Sequence, residues 1–218
     1  MSSLRIFPRY LRRHPLSFAH RNVSILKNPE SSPLVQSTRK WFQSVVLQEK
    51  LCPFAPPLVG NEKLRIVNSD AHTDDAMVED VKQEVDSLML LSSAFNHETT
   101  LVVFSREIPF LDFVRLSWRW QEEAVADHVE DLQLVLFHPL ATHQTYSEMT
   151  SASDYTIRSP YPTVHLLREV DVMKAVQSGY PDLANLPARN KEKLEKQGLK
   201  LCEQRLAACY TADGESKS

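Results

Sequence analysis

DAMVEDVKQEVDSLMLLSSAFNHETTLVVF, residues 75–104, decides the fold. Val78, Val81, Val85, Leu88, Leu91 and Phe95 recur every three or four positions, the period of an amphipathic helix with its apolar stripe turned to a core. Thr99–Phe104 is then a near-continuous apolar, β-branched run, the pattern of a strand covered on both faces. The same alternation continues on either side. Upstream, the pattern predicts a helix from about Ser37 that carries Trp41, Phe42, Val45, Val46 and Leu47 and stops at Pro53, then a short strand over Leu64–Val67. Downstream it predicts a helix over about 110–128, a third buried strand over Leu132–Phe137, and a fourth strand or helix start over Val164–Leu167. Asp171–Gln177 continues helically to a stop at Gly179, and Lys191–Tyr210 reads as one charged helix. Strands separated by helices of this length predict an α/β domain. It is a small layered sheet of three to four strands, parallel or mixed, with crossover helices and further helices at both ends.

Composition narrows the function classes. The 218 residues are 42% hydrophobic, enough for one sizeable core, and no run approaches the roughly 18 apolar residues of a membrane-spanning helix. Four glycines exclude a phosphate-binding loop or a dinucleotide fingerprint, which need several within a few positions. Three scattered cysteines, Cys52, Cys202 and Cys209, form neither a disulfide scaffold nor a zinc ribbon and predict a reduced, intracellular chain.

Charge divides the chain. Residues 1–29 hold Arg5, Arg9, Arg12, Arg13, Arg21 and Lys27 with no acidic residue, interleaved with Leu4, Ile6, Phe7, Tyr10 and Leu11 and several serines. That is the composition of an organelle transit peptide and predicts import to the mitochondrial matrix, with a plastid as the alternative. A basic arm that binds nucleic acid or anionic lipid is the plainer reading. The remainder carries 19 basic against 28 acidic residues, a net charge of −9, which argues against broad nucleic-acid binding. The expected organisation is a leader over 1–34, one domain over 35–180 and a C-terminal helical extension with a tail over 181–218.

Phe137 is followed at once by His138, Pro139 and some twenty residues without a period, ending at Arg158, Ser159, Pro160, Tyr161 and Pro162. A loop that long is usually functional or disordered. Arg158 and Arg168 could clamp a phosphate or carboxylate in bidentate fashion, and His138 or His165 could move a proton near neutral pH. Ser159 and Glu169 fall within the same cluster. The plainer reading pairs Arg168 with an acidic neighbour such as Glu98 or Asp112 and leaves the histidines capping strand ends. Glu98 serves equally as a partner for arginine or imidazole and as a surface charge. Cys52 is a nucleophile if a helix dipole or histidine lowers its pKa, but the negative end of a helix opposes that, and a small buried apolar residue is the simpler assignment. Cys52, His138 and His165 are admissible metal ligands, yet they lie 86 and 27 residues apart without a paired motif, so no metal is expected. The residues name no cofactor.

Taken together, LCPFA (51–55), ETTL (98–101), FHP (137–139), RSPYP (158–162) and HLLRE (165–169) resemble the domain-of-unknown-function family 1415 over about residues 38–180. The resemblance points to Cys52, Glu98, His138, Arg158, Ser159, His165, Arg168 and Glu169 without assigning them a role. Two function classes follow. One is a small-molecule enzyme that holds an anionic substrate through arginines, with histidine as acid or base and Glu98 and Cys52 as further catalytic candidates. The other is a non-catalytic interaction or assembly module of a mitochondrial complex, with a protein partner contacting residues such as Trp118.

Overall fold

Four strands, β1 (Leu64–Ser69), β2 (Thr99–Phe104), β3 (Leu132–Phe137) and β4 (Thr163–Arg168), form one mixed sheet in the order β1-β2-β4-β3. The computed structural model describes residues 32–52, 55, 63–90, 99–143, 150–177 and 185–210. β1 and β2 run parallel, joined across α2 (Asp74–Leu90), while β4 inserts antiparallel to both β2 and β3. The carboxyl ends of β1, β2 and β3 and the start of β4 therefore share one edge. The architecture is α/β, and of the two sheet types open to the sequence it is the mixed one.

Alternation along the strands separates two cores. One face sets Val67, Val102, Phe104, Leu132, Val164 and Leu166 against Met77, Val81, Val85 and Leu88 of α2 and Phe113 and Leu116 of α3 (Phe110–Arg119). The other sets Ile66, Leu101 and Val103 against α1 (Pro33–Trp41) and two C-terminal helices, α5 (Leu186–Gln197) and α6 (Leu199–Ala207). Every residue of β2 is buried, as its uninterrupted apolar run requires.

Several boundaries differ from the sequence expectation. α1 starts at Pro33, whose fixed φ suits the first helical position, and runs into a π-helical segment over Phe42–Leu47. The helix expected over 110–128 is α3, a π-helical turn over Trp120–Ala124 and a 3-10 turn over Ala126–His128. The wider turn keeps Trp120, Ala124 and Val125 all facing the core, with Trp120 stacked on Phe104 at 5.6 Å. Val164–Leu167 resolves as a strand that opens directly into α4 (Glu169–Gln177). The single helix expected over 191–210 is broken at Gly198, whose φ of 89° closes α5 and starts α6. Leu194, Cys202, Leu206 and Cys209 from this region all enter the second core, so α5 and α6 are a wall of the domain. Most of the expected leader (residues 1–31), the end of the helix expected to reach Phe95, the stop at Gly179 and the tail from 211 lie outside the described residues.

Candidate functional site

The central strand β4 carries the first candidates. His165 pairs in register with Leu101 of β2 and Val135 of β3. Its Nε2 lies 2.6 Å from Thr99 Oγ1, and that hydroxyl donates its one proton to Leu166 O at 2.7 Å. The imidazole is therefore the donor, a neutral ring with its proton on Nε2. Burial pushes its pKa down to about 4. His138 is equally committed. Leu140 N–H donates to its Nδ1 at 3.0 Å, so Nε2 holds the proton and donates to Ile108 O at 2.8 Å. Its ring packs between Phe110 and Phe113, both at 5.4 Å. Burial lowers its pKa and the Arg158 charge adds to this, while the bond to Ile108 acts the other way.

The two histidines do not form one acid–base pair. Strand alternation puts His165 on the face of Val135 and Phe137, whereas His138 turns to the opposite face and meets Phe113. Three residues, roughly 10 Å of strand, separate His138 from the position opposite His165.

The expected arginine clamp is likewise not assembled. Arg168 ends β4 and donates from Nε to Asp171 Oδ2 at 2.6 Å, a mostly buried ion pair that Lys174 joins at 3.0 Å. Arg158 precedes the start of β4, so the length of the strand, roughly 16 Å, lies between the two guanidiniums' elements. Arg158 donates from Nε to Ala141 O at 2.9 Å and covers the Tyr155 ring at 4.8 Å. Ser159 is sealed: its hydroxyl and that of Thr163 both donate to Tyr161 O, at 2.6 and 2.8 Å, fixing the path through Pro160 and Pro162. Glu169 accepts from Gln133 Nε2 at the far end of the sheet. Glu98 lies outside the described residues. Among the described residues no three His, Cys, Asp or Glu side chains are placed to hold a metal ion.

Two of the expected residues do line hollows: Arg158 a narrow one with Trp41, Val45 and Tyr155, and Cys52 a larger one that shares those three residues. A hollow of about 90 Å³ lies among Trp41, Val45, Cys52, Phe137, Thr156 and Asn190, with Tyr155 and Leu51 completing its wall. Val45 and Val46 come from the π-helical segment, and such wide turns recur at functional sites. Trp41 is 3% exposed, and its Nε1–H has no hydrogen-bond partner among the described residues. A buried unpaired donor costs about 1–3 kcal/mol, so it favours any acceptor that enters. Asn190 donates to Leu51 O at 2.6 Å, joining α5 to the segment that carries Cys52.

Asn190 is also a wall of an open cleft of about 550 Å³ between the end of the first helical unit and α5. Lys50, Arg189, Lys193 and Lys196 line that cleft against Glu49 and Glu192. Glu49 accepts from Gln197 at 2.7 Å and pairs with Lys193 at 3.1 Å and Arg205 at 2.8 Å. Burial alone would raise its pKa, but Gln197, Lys193 and Arg205 outweigh it and hold the carboxyl below its ordinary value. The arrangement sets a cleft lined by Lys50, Arg189, Lys193 and Lys196 beside a largely apolar hollow, with Asn190 lining both.

A family model described as a protein of unknown function, DUF1415, matches residues 33–204. The chain belongs to the DUF1415 family. No curated protein and no solved structure matches it. The DUF1415 match runs from the first residue of α1 to within α6, so it takes in both sides of the cavity, including Asn190. Asn190, Thr156 and the basic residues of α5 were not singled out by the sequence. No local motif connects position 41 to position 190, and the charged run in α5 reads as an ordinary solvated face.

Proposed function

We propose that this DUF1415 chain is a small-molecule enzyme domain that takes an anionic substrate, phosphate or carboxylate, at the Lys50–Arg189 cleft and seats the uncharged end of that substrate beside Cys52. One observation carries the reading: the basic cleft and the Cys52 cavity share Asn190 as a wall, and Trp41, whose indole N–H is unpaired among the described residues, is one of the side chains around the inner hollow. Cations lining the cleft raise the local concentration of an anion, and the neighbouring hollow takes the uncharged end of the same molecule. The inner space equals about three waters at roughly 30 Å³ each, so it admits a fragment of only a few heavy atoms. Cys52 is the side chain we assign to contact that fragment. The histidines in this proposal position the frame rather than move protons, because each is neutral and engaged on its own face. The acid-free, arginine-rich leader supports mitochondrial import as the address, tested by the location of a fluorescent fusion with and without residues 1–31.

Isothermal titration of the full chain with a panel of small phosphates and carboxylates tests the site. Binding should be lost in Val45→Phe, which fills the hollow, and weakened at least tenfold in the doubly charge-reversed Lys50→Glu, Arg189→Glu chain. Binding indifferent to both, or none across the panel, overturns it.

A further inference from the structure

α3 buries one face and leaves the other in water. Phe113, Leu116 and Trp120 supply its packing against the sheet and α2. Leu111, Val114 and Trp118, at spacings i, i+3 and i+7, lie on the opposite side, with Leu111 58% and Trp118 65% exposed. Among the described residues neither core includes this stripe, in which Val114 is half-buried. Leu140, also exposed, sits in the turn that His138 fastens to the head of α3 through Ile108, Phe110 and Phe113. An apolar stripe of this spacing, rigidly presented, is what a partner helix recognises through its own apolar face.

The surrounding charge specifies the partner. Residues 70–90 and 99–131 hold fourteen acidic against four basic side chains, a net of −10, and of the acidic groups only Glu84 is sealed away, buried against Arg65 of β1. Three of the four basic groups already have carboxylates: Arg106 with Asp74 at 2.6 Å, Arg115 with Asp112 at 2.7 Å, and Arg119 with Asp75 at 2.9 Å and Glu123 at 2.7 Å. Glu107, Glu122, Asp127 and Glu130 are exposed around the two ends of the helix. On the opposite face of the sheet the balance reverses, with six basic against three acidic side chains in residues 185–210.

We propose that the Leu111–Val114–Trp118 face is a docking surface for a basic amphipathic helical segment of a partner protein. The apolar stripes meet at the centre, and the partner's lysines and arginines meet the acidic rim. Electrostatic complementarity then fixes orientation and speeds encounter. This surface lies across the sheet from the Cys52 cavity, so the two proposals stand or fall separately.

The test uses the full chain and a fluorescein-labelled 18-residue Leu/Lys peptide with apolar residues at i, i+3, i+4 and i+7, read by anisotropy. A Leu/Glu peptide of the same pattern is the control. Saturable binding of the Leu/Lys peptide, weakened at least tenfold in Leu111→Asp and in Trp118→Ala and several-fold by added salt, supports the proposal. These variants change exposed positions, and circular dichroism verifies their fold. Equal binding of the Leu/Glu peptide, affinity unchanged in both variants, or no binding overturns it. So does a chain dimer that Trp118→Ala dissolves, which makes a second copy the occupant, or peptide binding that appears only after residues 1–31 are removed, which makes the chain's own leader the occupant.

Discussion

Replacing His165 with leucine separates a sealed structural imidazole from a working acid or base. The ring lies between Leu101 and Val135 with Phe137 6.4 Å away, so leucine enters apolar surroundings at similar volume. The Nε2–H bond to Thr99 is lost, but Thr99 keeps its bond to Leu166 O, and the expected cost at pH 7.5 is about 1 kcal/mol. Acid pH gives the larger effect. The unfolded chain takes up the proton near pH 6.5, whereas the folded protein refuses it until about pH 4. Between these values the unfolded state binds more protons, so stability falls with pH through that window and levels off below it. At about 1.36 kcal/mol per pKa unit the loss attributable to His165 is about 3 kcal/mol. Urea unfolding of the wild type and of His165→Leu at steps from pH 7.5 to 4 should show curves that converge and cross as pH falls. The variant retains only the slope of the other groups, His138 and His143 among them, whose pKa values burial also lowers. Parallel curves would mean that His165 takes up its proton normally when folded, and the argument from its burial would fail.

Three further outcomes follow from other parts of the molecule. An aromatic disulfide reagent at pH 8 should modify one thiol of the native chain quickly, Cys52, and the other two only in denaturant, because Cys202 and Cys209 are buried and burial pushes both thiols up; fast reaction of two or three thiols contradicts the packing of α6. Gly198→Ala should cost about 1–3 kcal/mol by thermal unfolding, since nothing obstructs the new methyl but the backbone there, at φ 89° and ψ 152°, is almost reserved to glycine; a stabilised variant would show that the α5–α6 break is not strained. Glu49→Gln should destabilise by about 1–2 kcal/mol at pH 7, discounted for the partial exposure of Lys193 and Arg205. Because the carboxyl is held below its ordinary value, that difference should be present above about pH 4.5 and vanish as pH falls through the folded value, and a difference that grows in acid contradicts the pairing.

β2 and α2 were legible because burial on two faces and burial on one stripe leave unmistakable periods in the chain. Thr99–Phe104 is continuous because α2 covers one side and α1 the other, and the spacing in Val78–Leu88 is the interface itself. The break at Gly198 was harder, since a charged run with helical spacing gives no warning of where the axis turns, although the lone glycine within it was the available signal. The site was less legible than the fold. Arg158, His165 and Arg168 cluster within eleven residues of sequence, but a strand spreads them along its length and onto both faces. Proximity in sequence was therefore a poor guide to proximity in space. The cavity draws instead on α1, the segment after it, the 3-10 turn over Ala152–Thr156 and α5, which only the tertiary fold unites.

The central claim, that the uncharged end of an anionic substrate enters the hollow at Trp41 and Cys52, is tested most directly by the indole region of a proton–nitrogen correlation spectrum. The chain has three tryptophans, and their side-chain N–H signals report three places: the cavity (Trp41), the outer face of α3 (Trp118) and the first core (Trp120). Titration with the tightest-binding phosphate or carboxylate should shift the Trp41 signal downfield and saturably as its N–H gains an acceptor, with Trp120 unmoved. Saturable binding that leaves Trp41 in place contradicts the account.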